Sequence, residues 1–449
     1  MDSGKDSRRD FIRKTAAGTA ALSIGGVLPG FNAKSYGNII GANEKVLVAV
    51  MGVNSRGLAL STYYAKQPDS EVVYICDVDS RAIDKCINTV EPLQNKRPKG
   101  LPDFRKALED KQIDALVIAA PDHWHAPAAI LASKAGKNVY VEKPCSHNPH
   151  EGELLTKVQE KYKNVIQMGS QRRSFPNVIA AIEELRNDAI GRPYFAKGWY
   201  SDSRGTIGHG KPAEVPSWLN YDLWQGPAPR RPFIDNLVHY NWHWRWHWGT
   251  GEALNNGTHI VDLMRWGLDA DFPIRVASTG GRYCFEDDWE TPDTQVISID
   301  FPNRTTMVWE GRSCNPQWEE GIYVGVMFYG DTGSLGIFDN SYKIFDMKNK
   351  VTKEVKAEAQ ANAPNHTSPS ENLDPLHIQN FIHAIQKGEK LHSDIQGGYK
   401  STLLCQLGNI SLRSGKTLHI DPKNGHILNN TEAEKLWKRE YEKGWEPTL

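Results

Sequence analysis

Lys45-Val46-Leu47-Val48-Ala49-Val50-Met51-Gly52-Val53-Asn54-Ser55-Arg56-Gly57 decides the fold. Residues 45–51 are almost unbroken apolar sequence, the pattern of a strand buried on both faces. A glycine-bounded turn follows, then a helical stretch from Leu58 to Lys66. The unit recurs downstream. An apolar run from Glu71 to Cys76 ends in Asp77-Val78-Asp79, and a helix starts at Ser80. After a Pro/Lys/Gly-rich loop through Pro102, a helix is expected over 103–112 and a third buried strand over Ile113 to Ala119. That strand closes on Pro121-Asp122-His123-Trp124-His125. A helix from Pro127 to Ala135 leads to a strand, Asn138 to Val141, that closes on Glu142-Lys143-Pro144. Strands alternating with helices in this way predict an α/β fold with a parallel, doubly wound sheet.

The turn has its own chemistry. A pyrophosphate on a helix N-terminus needs a tight turn, close backbone approach and close helix packing. Gly52 and Gly57 meet the first and third needs. Asn54 replaces the middle glycine of the dinucleotide fingerprint, and asparagine tolerates unusual backbone angles better than most residues. Ser55 and Arg56 complete the loop. Asp77, ending the next strand, can accept hydrogen bonds from ribose hydroxyls and would repel a 2′-phosphate. NAD is therefore favoured over NADP, although Arg56 and Arg81 keep NADP open. The competing reading is a glycine turn in an unrelated α/β fold.

From about Gly191 the texture changes. Alternating runs over Pro193 to Tyr200, Arg275 to Phe285, Thr294 to Phe301, Thr305 to Trp309 and Tyr323 to Tyr329 predict a large, mostly antiparallel open sheet. One helix, Thr258 to Gly267, interrupts it, and helices over Leu376 to Lys387 and Tyr399 to Ser414 come late. The stretch 350–373 is expected to be a polar surface loop. The expected organisation is an export segment (1–33), a Rossmann domain (44–165), a second α/β domain (166–420), whose late helices can pack back on the first, and a tail (421–449).

The chain has 449 residues, 39% hydrophobic and 24% charged, with a formal net charge of -1. That is globular composition, without a global field to recruit nucleic acid or an anionic membrane. The six cysteines form no C-x-x-C pair, so a zinc site and a disulfide scaffold are disfavoured and all six are expected to be structural thiols. The N-terminus carries Arg8-Arg9-Asp10-Phe11-Ile12 ahead of a small-residue apolar stretch from Thr15 to about Pro29. It closely resembles a twin-arginine signal for export of folded protein, which predicts a periplasmic enzyme loaded with its cofactor beforehand.

Glu142-Lys143-Pro144 after Pro121-x-x-x-His125, then Gly169-Ser170-Gln171-Arg172-Arg173, Gly251-Glu252-Ala253-Leu254-Asn255-Asn256-Gly257-Thr258-His259-Ile260-Val261-Asp262 and Tyr329-Gly330-Asp331-Thr332-Gly333, together resemble the Gfo/Idh/MocA oxidoreductases. The likeness spans roughly residues 44 to 420 and is strongest to exported members. It implies a Rossmann domain joined to an open-sheet domain, residues 166–420 here, that serves substrate binding and oligomerisation through dimer or tetramer contacts. It also implies that Lys143 lies beside the nicotinamide and the substrate hydroxyl, and that His259 is the catalytic histidine. Pro121, His125, Glu142 and Gln171 fall to the cofactor. Many members carry Asp where this chain has Asn255, which puts a Lys-Asp-His relay in doubt and leaves Asn255 to orient a substrate hydroxyl.

Oxidising a secondary alcohol needs a base for its proton and a cofactor to take its hydride. His259 suits the first task, and Lys143 can stabilise the developing alkoxide, or serve as the base itself if burial lowers its pKa. Asp262, three residues after His259 and on the same helical face once the helix has begun, can orient substrate or serve a structural role equally well. In His239-Tyr240-Asn241-Trp242-His243-Trp244-Arg245-Trp246-His247-Trp248, the residues Tyr240, Trp242 and His243 can stack on a sugar ring or bind its hydroxyls, against the alternative of a buried aromatic cluster. Alternating histidines without a carboxylate at fixed spacing argue against a metal. The leading expectation is a dehydrogenase oxidising a secondary hydroxyl of a sugar or glycoside, C3 foremost, with a second keto-sugar or other acceptor reoxidising the held NAD. The alternative is a glycoside hydrolase using NAD transiently, as some relatives do, with Tyr240 or His243 as the extra acid/base. A sugar-binding protein that kept the scaffold without chemistry is a third reading, and Lys143 and His259 argue against it.

Overall fold

The computed structural model describes residues 45–357 and 374–449. The twin-arginine segment and most of the 350–373 loop lie outside the described residues. The first sheet has six strands: β1 (Val46–Met51), β2 (Ser70–Cys76), β3 (Lys99–Leu101), β4 (Ala115–Ile118), β5 (Asn138–Val141) and β6 (Ile166–Met168). All are parallel, in the order β3-β2-β1-β4-β5-β6. The order reverses between β1 and β4, which opens a crevice at their carboxyl ends. Helices α1 (Arg56–Lys66), α2 (Ser80–Gln94), α3 (Asp122–Lys134) and α4 (Pro149–Tyr162) run between the strands. Asp79 caps α2 by accepting from Arg81 N–H, and Asn148 caps α4 by accepting from Glu151 N–H.

Local pattern misplaces three elements here. Lys99–Leu101, expected as loop, pairs with β2. The helix expected over 103–112 is a single turn, Arg105–Leu108. Helix α3 begins at Asp122, five residues before Pro127, so the proline lies inside it. Proline has no N–H for the carbonyl four residues back. That carbonyl, on His123, instead accepts from Arg439 Nη2 at 2.7 Å.

The second domain adds α5 (Pro176–Arg186), β7 (Pro193–Ser201), α6 (Gly257–Gly267), β8 (Arg275–Gly281), β9 (Thr294–Asp300), β10 (Thr306–Arg312), β11 (Val324–Gly330), β12 (Gly333–Phe338), β13 (Ser341–Asp346) and β14 (Val351–Val355). It ends with α7 (Asp374–Lys387), α8 (Ile395–Ser414), β15 (Leu418–Ile420) and β16 (Ile427–Leu428). Its sheet has ten strands, β14-β13-β12-β11-β7-β10-β9-β8-β15-β16, antiparallel except where β7 meets β10. Ile378, Phe381, Ile382 and Ile385 of α7 pack into the same apolar cluster as Val46, Val48 and Val50 of β1. Among the described residues no helix is long and apolar enough to cross a membrane.

The expected boundaries shift for identifiable reasons. β6 completes the first sheet beyond residue 165, because it hydrogen-bonds to β5. Residues 421–449 are not a loose tail: β16 joins the second sheet, Trp445 packs edge-on against Trp124, and Arg439 Nε donates to Glu151 at 2.8 Å. Nor are all six thiols in the core, since Cys284 is exposed and Cys314 half-buried. Glu151 is fully buried, so Arg439→Ala leaves both a charge and the His123 carbonyl without that partner. We expect a loss of about 3 kcal/mol in urea unfolding, with Arg439→Lys recovering part of it.

Candidate active site

A cavity of about 520 Å³ runs along the carboxyl edge of the first sheet, from Gly52 at one end to His259 at the other. At the first end Gly52 has φ +81°, and a Cβ there would lie 2.6 Å from the Ala120 backbone. A Cβ on Gly57 would sit 1.9 Å from the Gly52 carbonyl oxygen, so Gly57 shapes the loop from outside the cavity wall. Asn54 and Ser55 line the wall, but the left-handed backbone angle falls on Gly52 and not on Asn54. Asp77 Oδ2 accepts from Val53 N–H at 2.6 Å and Oδ1 from Asp79 N–H at 2.9 Å. The carboxylate thus tethers the loop while facing the cavity, and burial pushes its proton affinity up.

The two arginines are engaged. Arg56 donates to Glu142 at 2.7 Å and to Asp374 at 2.6 Å. Arg81 forks onto Asp79 at 3.1 and 2.9 Å and lies 3.4 Å over the Trp218 ring. A long connection between β7 and α6 folds over this end: Ser80 N–H donates to the Trp218 carbonyl, Asn220 N–H to the Val78 carbonyl, and His239 Nε2 lies 2.8 Å from Asp79.

At the far end, Lys143 Nζ donates to the Asn255 main-chain carbonyl at 2.7 Å and to its side-chain oxygen at 3.2 Å. Burial lowers the Lys143 pKa, against the pull of Glu142 and Asp122. Asn255 Nδ2 donates to Glu252 at 3.3 Å, so its amide holds Lys143 and Glu252, and the relay expected of an Asp is absent. His259, on the first turn of α6, is buried in the wall with neither ring nitrogen hydrogen-bonded. Burial, then the charges of Lys143 and Arg172, hold it well below the usual histidine range, so it is neutral at neutral pH.

Pro121, Glu142, Gln171 and His125 also line the cavity. His125 is a clamp, with its ring nitrogens 2.6 Å from the Pro144 carbonyl and 2.7 Å from that of Ala120. Asp262 does not reach the cavity. Arg173 grips it at 2.7 and 2.9 Å and Ser401 donates to it at 2.6 Å, so of the two roles its helical spacing left open, the substrate role is corrected to the structural one.

The aromatic stretch divides. Trp244 and Trp248 are core, and Trp244 stacks on Trp289 at 4.0 Å. Tyr240, Trp242 and His243 do line the cavity, His243 stacked on Trp242 at 3.6 Å and lowered by burial to about 3. Asp122 and Arg204 are among the wall residues that escaped the sequence reading. Asp122, whose carboxylate accepts from Thr250 Oγ1, lay inside the quoted Pro121–His125 motif and was findable. Arg204, donating to Glu252 at 2.8 Å and to the Tyr240 hydroxyl at 2.7 Å, carried no local signal.

Residues 46–170 match the model of an oxidoreductase family with an NAD-binding Rossmann fold, and residues 199–308 and 339–447 match that of the family's C-terminal α/β domain. A glycosyl hydrolase family 109 protein of Saccharopolyspora erythraea is 26% identical over 253 residues, 51% of this chain and 55% of that protein. An inositol 2-dehydrogenase of Rubrobacter xylanophilus is 24% identical over 165 residues, 36% of this chain and 46% of that one. The matches thus span about half the length of these curated relatives. A levoglucosan dehydrogenase solved with NADH and levoglucosan superposes with a TM-score of 0.65 at 18% identity, covering 84% of this chain and 99% of that one.

The loop fits a dinucleotide, because a Cβ at either glycine would meet backbone within 2.6 Å and force open the tight turn that brings the main chain to the cavity. Gly57→Ala is expected to weaken NADH binding at least tenfold in a fluorescence titration. Asn54→Gly, which needs no new backbone angle, should stay within about threefold of wild type.

Proposed function

This chain belongs to the Gfo/Idh/MocA oxidoreductase family, and on that premise we propose that it oxidises a secondary hydroxyl of a sugar or glycoside, C3 foremost, to a ketone. The observation that carries the reading is His259: a buried, neutral imidazole without a protein hydrogen bond, on the wall of the cavity that also contains the glycine cradle. A dinucleotide would be held by the Gly52–Gly57 loop and Asp77, with Pro121, Glu142 and Gln171 along its path. When bound, its nicotinamide supplies acceptance of the carbinol hydride. His259 takes the hydroxyl proton on a ring nitrogen. Lys143 has three donors and gives two to Asn255, which leaves one for the substrate oxygen as negative charge develops on it. Tyr240, Trp242 and His243 offer ring faces and polar edges to the sugar.

NAD is favoured over NADP, since Arg81 is bound to Asp79 and Arg56 to acidic partners, while Asp77 would repel a 2′-phosphate. The twin-arginine segment supports export to the periplasm with cofactor already bound, so a second keto-sugar or other acceptor reoxidises it in place. Copies are proposed to associate through the open face of the ten-stranded sheet. A second reading, a hydrolase that oxidises, eliminates and then reduces, draws support from the family 109 relative and from Tyr240 on the sugar side of the cavity.

Four measurements test this. His259→Ala and Lys143→Met should each lower hydride transfer, followed by nicotinamide absorbance with a glycoside panel, by about 10²–10⁴-fold; near wild-type rates in either remove that residue from the chemistry. Because the pKa of His259 is depressed, its neutral form persists as pH falls, and kcat/KM should hold from pH 7 to well below 6.5 before its acid limb begins. Net keto product supports the dehydrogenase, and released aglycone without net redox change supports the hydrolase. Replacing Arg8 and Arg9 by lysine should retain the protein in the cytoplasmic fraction.

A further inference from the structure

Two cysteines lie outside the core and beside each other. Cys284 is in the β8–β9 connection and Cys314 follows the end of β10. Their sulfurs and a carboxylate oxygen of Asp293 all lie within 4.8 Å of one another. Both backbones hang from Asp293: Cys284 N–H donates to its Oδ2 at 3.1 Å, and Ser313 N–H to its main-chain carbonyl at 2.7 Å.

Cys-Cys-Asp is also a ligand set for a soft cation, but Asp293 is already committed. Its Oδ2 accepts from Arg282, Tyr283 and Cys284, and its Oδ1 from Thr294 Oγ1. A closed structural zinc site wants four ligands. Two thiols are what the cluster has to offer.

We infer that Cys284 and Cys314 form a reversible intrachain disulfide that joins the β8–β9 connection to the segment after β10. Sulfurs within 4.8 Å must close to about 2.0 Å, and the exposed Cys284 side chain has room to rotate. The oxidant is a small-molecule or protein disulfide. The Cys284 thiolate attacks one of its sulfurs and expels the first thiol. Cys314 then attacks the Cys284 sulfur and expels the second, so two protein thiols and one disulfide become one protein disulfide and two thiols. Burial and the neighbouring Cys284 push the Cys314 thiol up to about 12, so Cys314 is protonated at neutral pH in the reduced protein. The staple lies behind the substrate half of the cavity, since the Ser313 carbonyl accepts from Arg204 N–H at 2.8 Å and Ser313 Oγ donates to Glu252 at 3.3 Å. The inference stands on this geometry and is independent of the proposed activity and of export.

The test treats the folded full-length protein with oxidised glutathione and reads intact mass, non-reducing peptide maps and Tm. The expected result is loss of two hydrogens, one cross-linked peptide pair containing Cys284 and Cys314, and a Tm several degrees higher that dithiothreitol reverses. Cys284→Ser and Cys314→Ser should each abolish the cross-link and the Tm difference. A persistent glutathione adduct on Cys284 without a cross-link would overturn the inference. So would stoichiometric zinc in the purified protein that either variant loses. Should a variant fail to fold, the wild-type mass and peptide map decide alone.

Discussion

The Arg56 guanidinium, shared between Glu142 and Asp374, is the contact on which the two halves of the site depend. Arg56 opens α1 directly after the glycine turn, Glu142 precedes Lys143 at the end of β5, and Asp374 begins α7 from the far end of the chain. One planar cation therefore holds the dinucleotide loop, the lysine strand and a late helix together. Both carboxylates are buried, and a buried charge left without its partner costs several kcal/mol. The same geometry commits Arg56 to carboxylates, so a phosphate in the proposed site would have to be met by main-chain N–H groups at the helix start.

A second layer comes from the connection between β7 and α6. It bridges back to Asp79 through Leu219 and presents His239 to the same carboxylate, then turns to bring Tyr240 and His243 to the cavity wall. A single excursion thus covers the Asp77 end of the cavity and furnishes the wall near Lys143. Burial acts on charge throughout this space: it keeps His259 and His243 neutral and weakens the hold of Lys143 on its proton.

Local signals made the Rossmann half legible. Buried parallel strands announce themselves as apolar runs, and the turn chemistry of Gly52 and Gly57 is carried within six residues. Five of the ten strands of the second sheet, β7 to β11, were legible through alternation, with the helix that carries His259. The strands β12 to β16 were not, and β14 lies in a stretch expected to be a surface loop, because only its pairing with β13 makes it a strand. What failed was non-local. Asp262 shares a helical face with His259, but its partners Arg173 and Ser401 come from 89 and 139 residues away. Arg204 gains its place from Glu252 and Tyr240, which no spacing rule connects to it. Pro127 reads as a helix start because nothing nearby reveals that Arg439 serves the carbonyl it leaves unmet.

Lys143 is anchored chiefly by the Asn255 carbonyl, an atom that every amino acid carries. Mutation cannot delete a peptide oxygen; only a shift of the backbone can. The side chain at 255 is accordingly at liberty to drift between acid and amide without unmooring the ammonium. What natural variation at that site would tune is how firmly the lysine holds its proton, so an acid at 255 and an amide at 255 are two settings of one device rather than an intact centre and a broken one.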